Sequence, residues 1–111
     1  MPDLGNPNFF TTFKGKYEVT LAPGASSQNA NVMLTCTNEV QFLARFVPGE
    51  NGLIGTLPSD CAPSVTTVLP VMTETGSMAA VTIEPTGSVS SSLQETVMLS
   101  GRSFNISSKW Y

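Results

Sequence analysis

Hydrophobic and polar residues alternate with a period of two along most of this chain. In residues 16–21, Tyr17, Val19 and Leu21 fall on one side and Glu18 and Thr20 on the other, the pattern of a half-buried strand. Residues 30–37 repeat it, with Val32, Leu34 and Cys36 set against Met33 and Thr35. Residues 38–47 place Val40, Phe42, Ala44 and Phe46 opposite Gln41, Leu43, Arg45 and Val47. With Asn38-Glu39 as a tight turn, 30–47 reads as a β-hairpin. Short strands follow at 53–58, 64–72 and 78–84. Pro70, inside the β-branched run, predicts an edge strand or a bulge, because proline has no N–H to give to a ladder. Pro85-Thr86-Gly87 reads as a turn with glycine at a position of positive φ, and 88–90 as the returning partner. Residues 95–107 close the pattern, with Gly101 as a bulge or kink.

Turn-forming residues separate these runs at 22–29, 48–52, 73–77 and 91–95, the last read as a hairpin connection. No stretch repeats apolar residues at a helical period. About eight short strands therefore predict an all-β fold, an antiparallel β-sandwich or jelly-roll-like barrel. Residues 1–16, with two prolines and two glycines, read as an extended lead-in or linker. Residues 17–111 read as one domain.

Composition sharpens this picture. Only 12% of the 111 residues are charged, against about 25% in an average domain. Thr, Ser, Asn and Gln take the place of charge. That surface suits an exposed or assembled β protein better than a helical bundle, which needs Glu and Lys on its outer face. Five Lys and Arg residues and a net charge of −3 leave no basic patch for nucleic acid. No apolar run approaches the roughly 20 residues of a membrane span. The stretch MPDLGNPNFF has neither a positive start nor an apolar core, so no secretion signal is expected in it. Cys36 and Cys61 are expected to be unpaired, small, buried side chains.

The chemistry of the chain is sparse. It has no histidine, which removes the commonest general base, the Ser-His-Asp and Cys-His constellations and most zinc sites. The eight carboxylates lie singly, mostly at strand ends and turns. A glycosidase needs two of them facing each other across a cleft. No glycine-rich phosphate loop is present. Neither an enzyme, a metal nor a cofactor is expected.

The order of the motifs carries more than any one of them. NVMLTCTNEVQFLARF (31–46) is followed by LIGTLPSDCAPSVTTVLPV (53–71), AAVTIEPTGSV (79–89) and TVMLSGRSF (96–104). This series resembles the C-terminal head, or receptor-binding, domain of phage tail-fibre and baseplate receptor-binding proteins. There a hairpin precedes LGxLP, a turn, xP, a β-branched strand into proline, VxI, a turn with Gly and Val, and VxLSGxxF. Pro58 and Pro63 match the bracketing prolines, Ile83, Gly87 and Val89 the hairpin, and Leu99, Ser100, Gly101 and Phe104 the closing strand. The family's aromatic residue and Arg before the second proline are replaced here by Cys61-Ala62.

The resemblance implies a homotrimeric head, carried in the virion tail or baseplate after assembly in the host cytoplasm. Its partners would be other virion proteins and a host cell-surface saccharide. It transfers no ligand-binding residue. The alternative is a structural virion module, a capsid decoration or fibre-tip trimerisation domain, that binds no glycan. Recognition in a sandwich is expected on loops, here 48–52, 73–77 and 91–95. Glu50, Asn51, Glu74, Arg102, Trp110 and Tyr111 are the candidate ligand-binding residues, able to supply an aromatic face or polar pairs for hydroxyls. Trp110 stands first, as the only tryptophan.

Overall fold

The computed structural model describes residues 13–106. Within them the chain forms eleven strands: β1 (Phe13–Glu18), β2 (Thr20–Leu21), β3 (Ser26–Ser27), β4 (Asn31–Thr35), β5 (Glu39–Phe42), β6 (Phe46–Val47), β7 (Leu53–Thr56), β8 (Thr67–Met72), β9 (Met78–Ile83), β10 (Ser88–Ser91) and β11 (Ser103–Asn105). Two single turns of 3₁₀ helix, Glu50–Gly52 and Ser59–Cys61, precede β7 and follow it. All strand pairs are antiparallel.

A five-stranded sheet has the order β2-β7-β10-β9-β8 and a four-stranded sheet the order β11-β5-β4-β1. The pair β3-β6 forms a separate ribbon. The alternation expected from the sequence decides which side chains turn inward. Val32 and Leu34 of β4, Val40 and Phe42 of β5, Ile54 of β7, Val81 and Ile83 of β9 and Val89 of β10 are all buried in one hydrophobic cluster drawn from both large sheets. Phe42 meets Phe46 edge-on, with ring centroids 5.9 Å apart and planes at 82°, a favoured aromatic geometry.

The strand count exceeds eight because 22–29, expected as a loop, contains the short strand β3, whose Ser26 and Ser27 pair with Val47 and Phe46, and because two expected strands are broken. The first breaks at Val19, whose N–H turns to the Ala30 carbonyl at 2.8 Å. Residues before it pair with β4 and those after it with β7, so the chain passes from one sheet to the other there. Residues 38–47 break after Phe42. Phe46 leaves the hairpin to pair with Ser27 and bridge to Val97. Strand β1 opens at Phe13, so residues 13–16, expected in the lead-in, belong to the four-stranded sheet.

Other expectations take definite form. Pro70 lies on the edge strand β8, opposite Ala80. Gly87, with φ 95°, returns its N–H to the Glu84 carbonyl at 2.7 Å and closes the β9–β10 turn. Gly101 (φ 82°) sits in a turn closed by Arg102 N–H to Leu99 O, not inside a strand. Residues 91–95 are not a hairpin connection. The chain beyond them bridges to Phe46 and Thr73 instead of returning along β10. Cys61 is buried as expected, but Cys36 is exposed, just past the end of β4. Neither thiol is in a disulfide.

Candidate functional site

The three loops expected to carry recognition come together through the segment that follows β10. Gln94 donates from Nε2 to the Gly49 carbonyl at 2.8 Å, which ties 91–95 to 48–52. Gly52 (φ 78°) reinforces the tie, because a Cβ there would stand 2.2 Å from the Ser91 carbonyl oxygen. Only glycine allows that approach. On the other side, the Glu74 N–H donates to Thr96 O at 3.0 Å, and the Thr75 hydroxyl donates to the Glu95 carboxylate. The Thr75 hydroxyl, and then that of Thr73, hold the Glu95 carboxyl below its usual range.

Each loop is also fixed internally. Thr73 gives its N–H to Ser77 O at 2.7 Å, and its Oγ1 accepts the Ser77 N–H at 3.1 Å. Buried Ser91 turns its hydroxyl to Leu93 O at 2.8 Å. These side-chain bonds replace a ladder where the chain must turn. The result is one connected rim, not three independent loops.

Beside this rim runs a groove of about 440 Å³, lined by Ser26, Ser27, Gln28, Arg45, Val47, Glu74 and Thr96. The β3–β6 ribbon forms one wall, held by a 2.7 Å bond from the Ser27 hydroxyl to Arg45 O. The Arg45 guanidinium lies 3.7 Å from the Glu74 carboxylate, both side chains about half exposed. A pair that long and wet is worth at most about 1 kcal/mol. Both groups therefore remain available to a ligand. A second depression of about 320 Å³ shares Gln28 and Arg45 and continues to Leu43, Ala44, Met98 and Ser100. Arg45 stands where the two meet.

The sequence candidates distribute unevenly over this surface. Glu74 lines the groove. Glu50 and Asn51 are exposed on the 3₁₀ turn of the rim, and Asn51 adopts φ 59°. That conformation favours asparagine whatever its contacts. Arg102 lies elsewhere, its Nη2 donating to Pro70 O at 2.9 Å on the edge of β8. Trp110 and Tyr111 lie outside the described residues. Arg45, Ser26, Ser27 and Gln28 were not among the candidates. A cation in an otherwise apolar alternation was the only signal for Arg45, and the ribbon that brings Ser26 and Ser27 to it left no local pattern. Among the described residues no three potential metal-ligating His, Cys, Asp or Glu side chains converge.

Comparison of the chain with family models, with curated proteins and with solved structures returns no match.

Proposed function

We propose that this chain is a non-catalytic receptor-binding head of a phage tail fibre or baseplate, which recognises a host cell-surface saccharide as a homotrimer. The observation that carries the reading is Arg45 at the junction of two contiguous grooves. Hydroxyls and amides of Ser26, Ser27, Gln28, Thr96 and Ser100 line them, with the Glu74 carboxylate opposite. Such a lining offers donors and acceptors to vicinal hydroxyls, and the charged groups make the stronger bonds. A rigid scaffold with fixed loops loses little entropy on binding. Weak single sites become firm attachment when three are presented together.

A second observation favours assembly. On the outer face of the five-stranded sheet, Val68, Met72 and Met78 are 56%, 50% and 62% exposed. Met72 lies opposite Met78, and Val68 opposite Thr82. Neighbouring Pro70, Ala80, Ser88 and Ser90 add no charge. A face of this kind fits contact between copies of the chain. It serves equally the alternative of a structural virion module that binds no glycan.

A glycan array carrying bacterial cell-wall saccharides separates the two. The receptor-binding reading expects a hit that weakens several-fold in Arg45→Ala with the oligomer intact. If the native protein binds no glycan on the array, the structural module stands in its place.

A further inference from the structure

The grooves beside the rim offer hydroxyls, amides and charge, but no ring. Among the described side chains, Phe42, Phe46 and Phe104 are buried, and Tyr17 is the one aromatic that reaches the surface. Tyr17 lines a different cavity, of about 510 Å³, with Lys14, Leu34, Asp60 and Ile106. That volume falls within the roughly 300–1,000 Å³ of small-molecule sites.

The backbone builds this cavity deliberately. Phe13 pairs with Thr35 and Gly15 with Leu34, so Lys14 is the extra residue of a β-bulge. A bulge re-aims its side chain, and here Lys14 joins Tyr17 on the cavity wall. The Tyr17 ring lies back along its own strand over Gly15. A Cβ at Gly15 would come within 3.3 Å of the Tyr17 Cε1 atom. Asp60 arrives from the 3₁₀ turn Ser59–Cys61, whose Cys61 is fully buried beneath it. Burial of the ring, and then the nearby Asp60 carboxylate, hold the Tyr17 hydroxyl above its usual range. The phenol therefore stays a donor toward the carboxylate. Leu34 and Ile106 supply an apolar lining.

We infer that this cavity is a second saccharide subsite, distinct from the rim, in which Tyr17 stacks on the apolar face of a pyranose ring. Asp60 accepts from a pair of its hydroxyls and Lys14 donates to a third oxygen. An amphipathic aromatic, a carboxylate and an ammonium group around an apolar lining match the two-sided chemistry of a sugar, whose ring faces are C–H and whose rim is hydroxyl. The inference rests on the saccharide-binding reading above and names a further place where the ligand is held.

The test is a titration of the ¹⁵N-labelled full chain with glucose, galactose, rhamnose and N-acetylglucosamine, followed by amide shifts. At least one sugar is expected to move Gly15, Tyr17 and Asp60 at millimolar concentration. Tyr17→Ala should weaken that sugar about tenfold, equivalent to about 1.4 kcal/mol. Asp60→Asn should weaken it several-fold, and Tyr17→Phe should hold it within about threefold, since the ring remains. Circular dichroism and oligomer mass guard against loss of fold. Shifts confined to the rim around Arg45 would overturn this subsite and leave the receptor reading in place. No shift from any of the four overturns the subsite, and the array decides separately whether the receptor reading falls with it. A Tyr17→Ala variant that changes oligomer mass but not sugar affinity also overturns it, by making the cavity a contact between copies.

Discussion

Replacing Gly52 with alanine tests how firmly the 48–52 loop is locked to β10. Gly52 has φ 78°, and its added Cβ would fall 2.2 Å from the Ser91 carbonyl oxygen, a backbone atom that has no rotamer by which to retreat. Two other glycines supply the control. Gly76 (φ 93°) and Gly101 (φ 82°) also have positive φ, but a Cβ at either meets nothing within 4 Å. At all three positions alanine incurs left-handed strain of about 1–2 kcal/mol. It regains about 0.4–1 kcal/mol by restricting the unfolded chain. Gly76→Ala and Gly101→Ala should therefore cost between about 0 and 1.6 kcal/mol. Gly52→Ala adds an overpacking cost of about 1–3 kcal/mol, for a total of about 1–4.6 kcal/mol. With roughly 4 °C lost per kcal/mol in a domain of this size, its melting temperature should fall about 4–18 °C. Urea denaturation at one fixed protein concentration measures all three, because assembly would otherwise shift the apparent stability. If Gly52→Ala costs no more than Gly76→Ala, the close approach to Ser91 does not constrain the fold and the rim is not rigid.

Two further outcomes follow from buried and exposed side chains. Burial, and then the Asp60 charge, push the Cys61 thiol from 9.0 up to about 11. The folded thiol thus stays protonated after the unfolded chain has ionised, and its contribution is whole below pH 9 and lost as pH rises toward 11. Stability should fall over that window, and Cys61→Ala, though less stable at neutral pH, should show a flatter profile there; an unchanged slope would refute the assignment. On the outer sheet face, Met78→Lys should convert the proposed homotrimer to monomers by light scattering without altering the circular dichroism spectrum, and a trimer that survives the charge would move the interface elsewhere.

The elements were legible wherever burial alternates. Val32, Leu34, Val40 and Phe42 declare their face by spacing alone, and Pro85-Thr86-Gly87 declares its turn by the positive φ that glycine supplies. The breaks were not legible, because they preserve the alternation. Val19 is buried where the chain changes sheets, just as it would be in an unbroken strand, so the pattern of 16–21 does not register the crossing. Cys36 continues the spacing of Val32 and Leu34, but the chain has already begun the turn in which Asn38 N–H meets Thr35 O at 3.1 Å. The candidate site was half legible. The loops could be named because turn residues mark them. Their union could not, since it rests on Gln94 reaching a backbone carbonyl at Gly49 and on a ribbon of two-residue strands. Lys14 was hidden for another reason: a bulge is a matter of pairing register, and no side chain advertises it.

The edge of β8 bears on how copies of the chain could meet. Ala80 exchanges its polar groups with Ser92, accepting that residue's N–H at 3.0 Å and donating to its hydroxyl at 2.9 Å. Its partner Pro70 therefore points its own backbone outward, where a missing N–H leaves nothing to donate. The Pro70 carbonyl is taken by Arg102 and the Met72 carbonyl by the Met98 N–H at 2.9 Å. An edge so occupied is a poor template for strand addition. The same strand presents Val68 and Met72 on its outer face, uncharged and exposed. Arg102, whose Nη2 donates to Pro70 O at 2.9 Å, takes up one acceptor of this edge. The assembly proposed above therefore falls to the outer face of the sheet, where Val68, Met72 and Met78 are exposed.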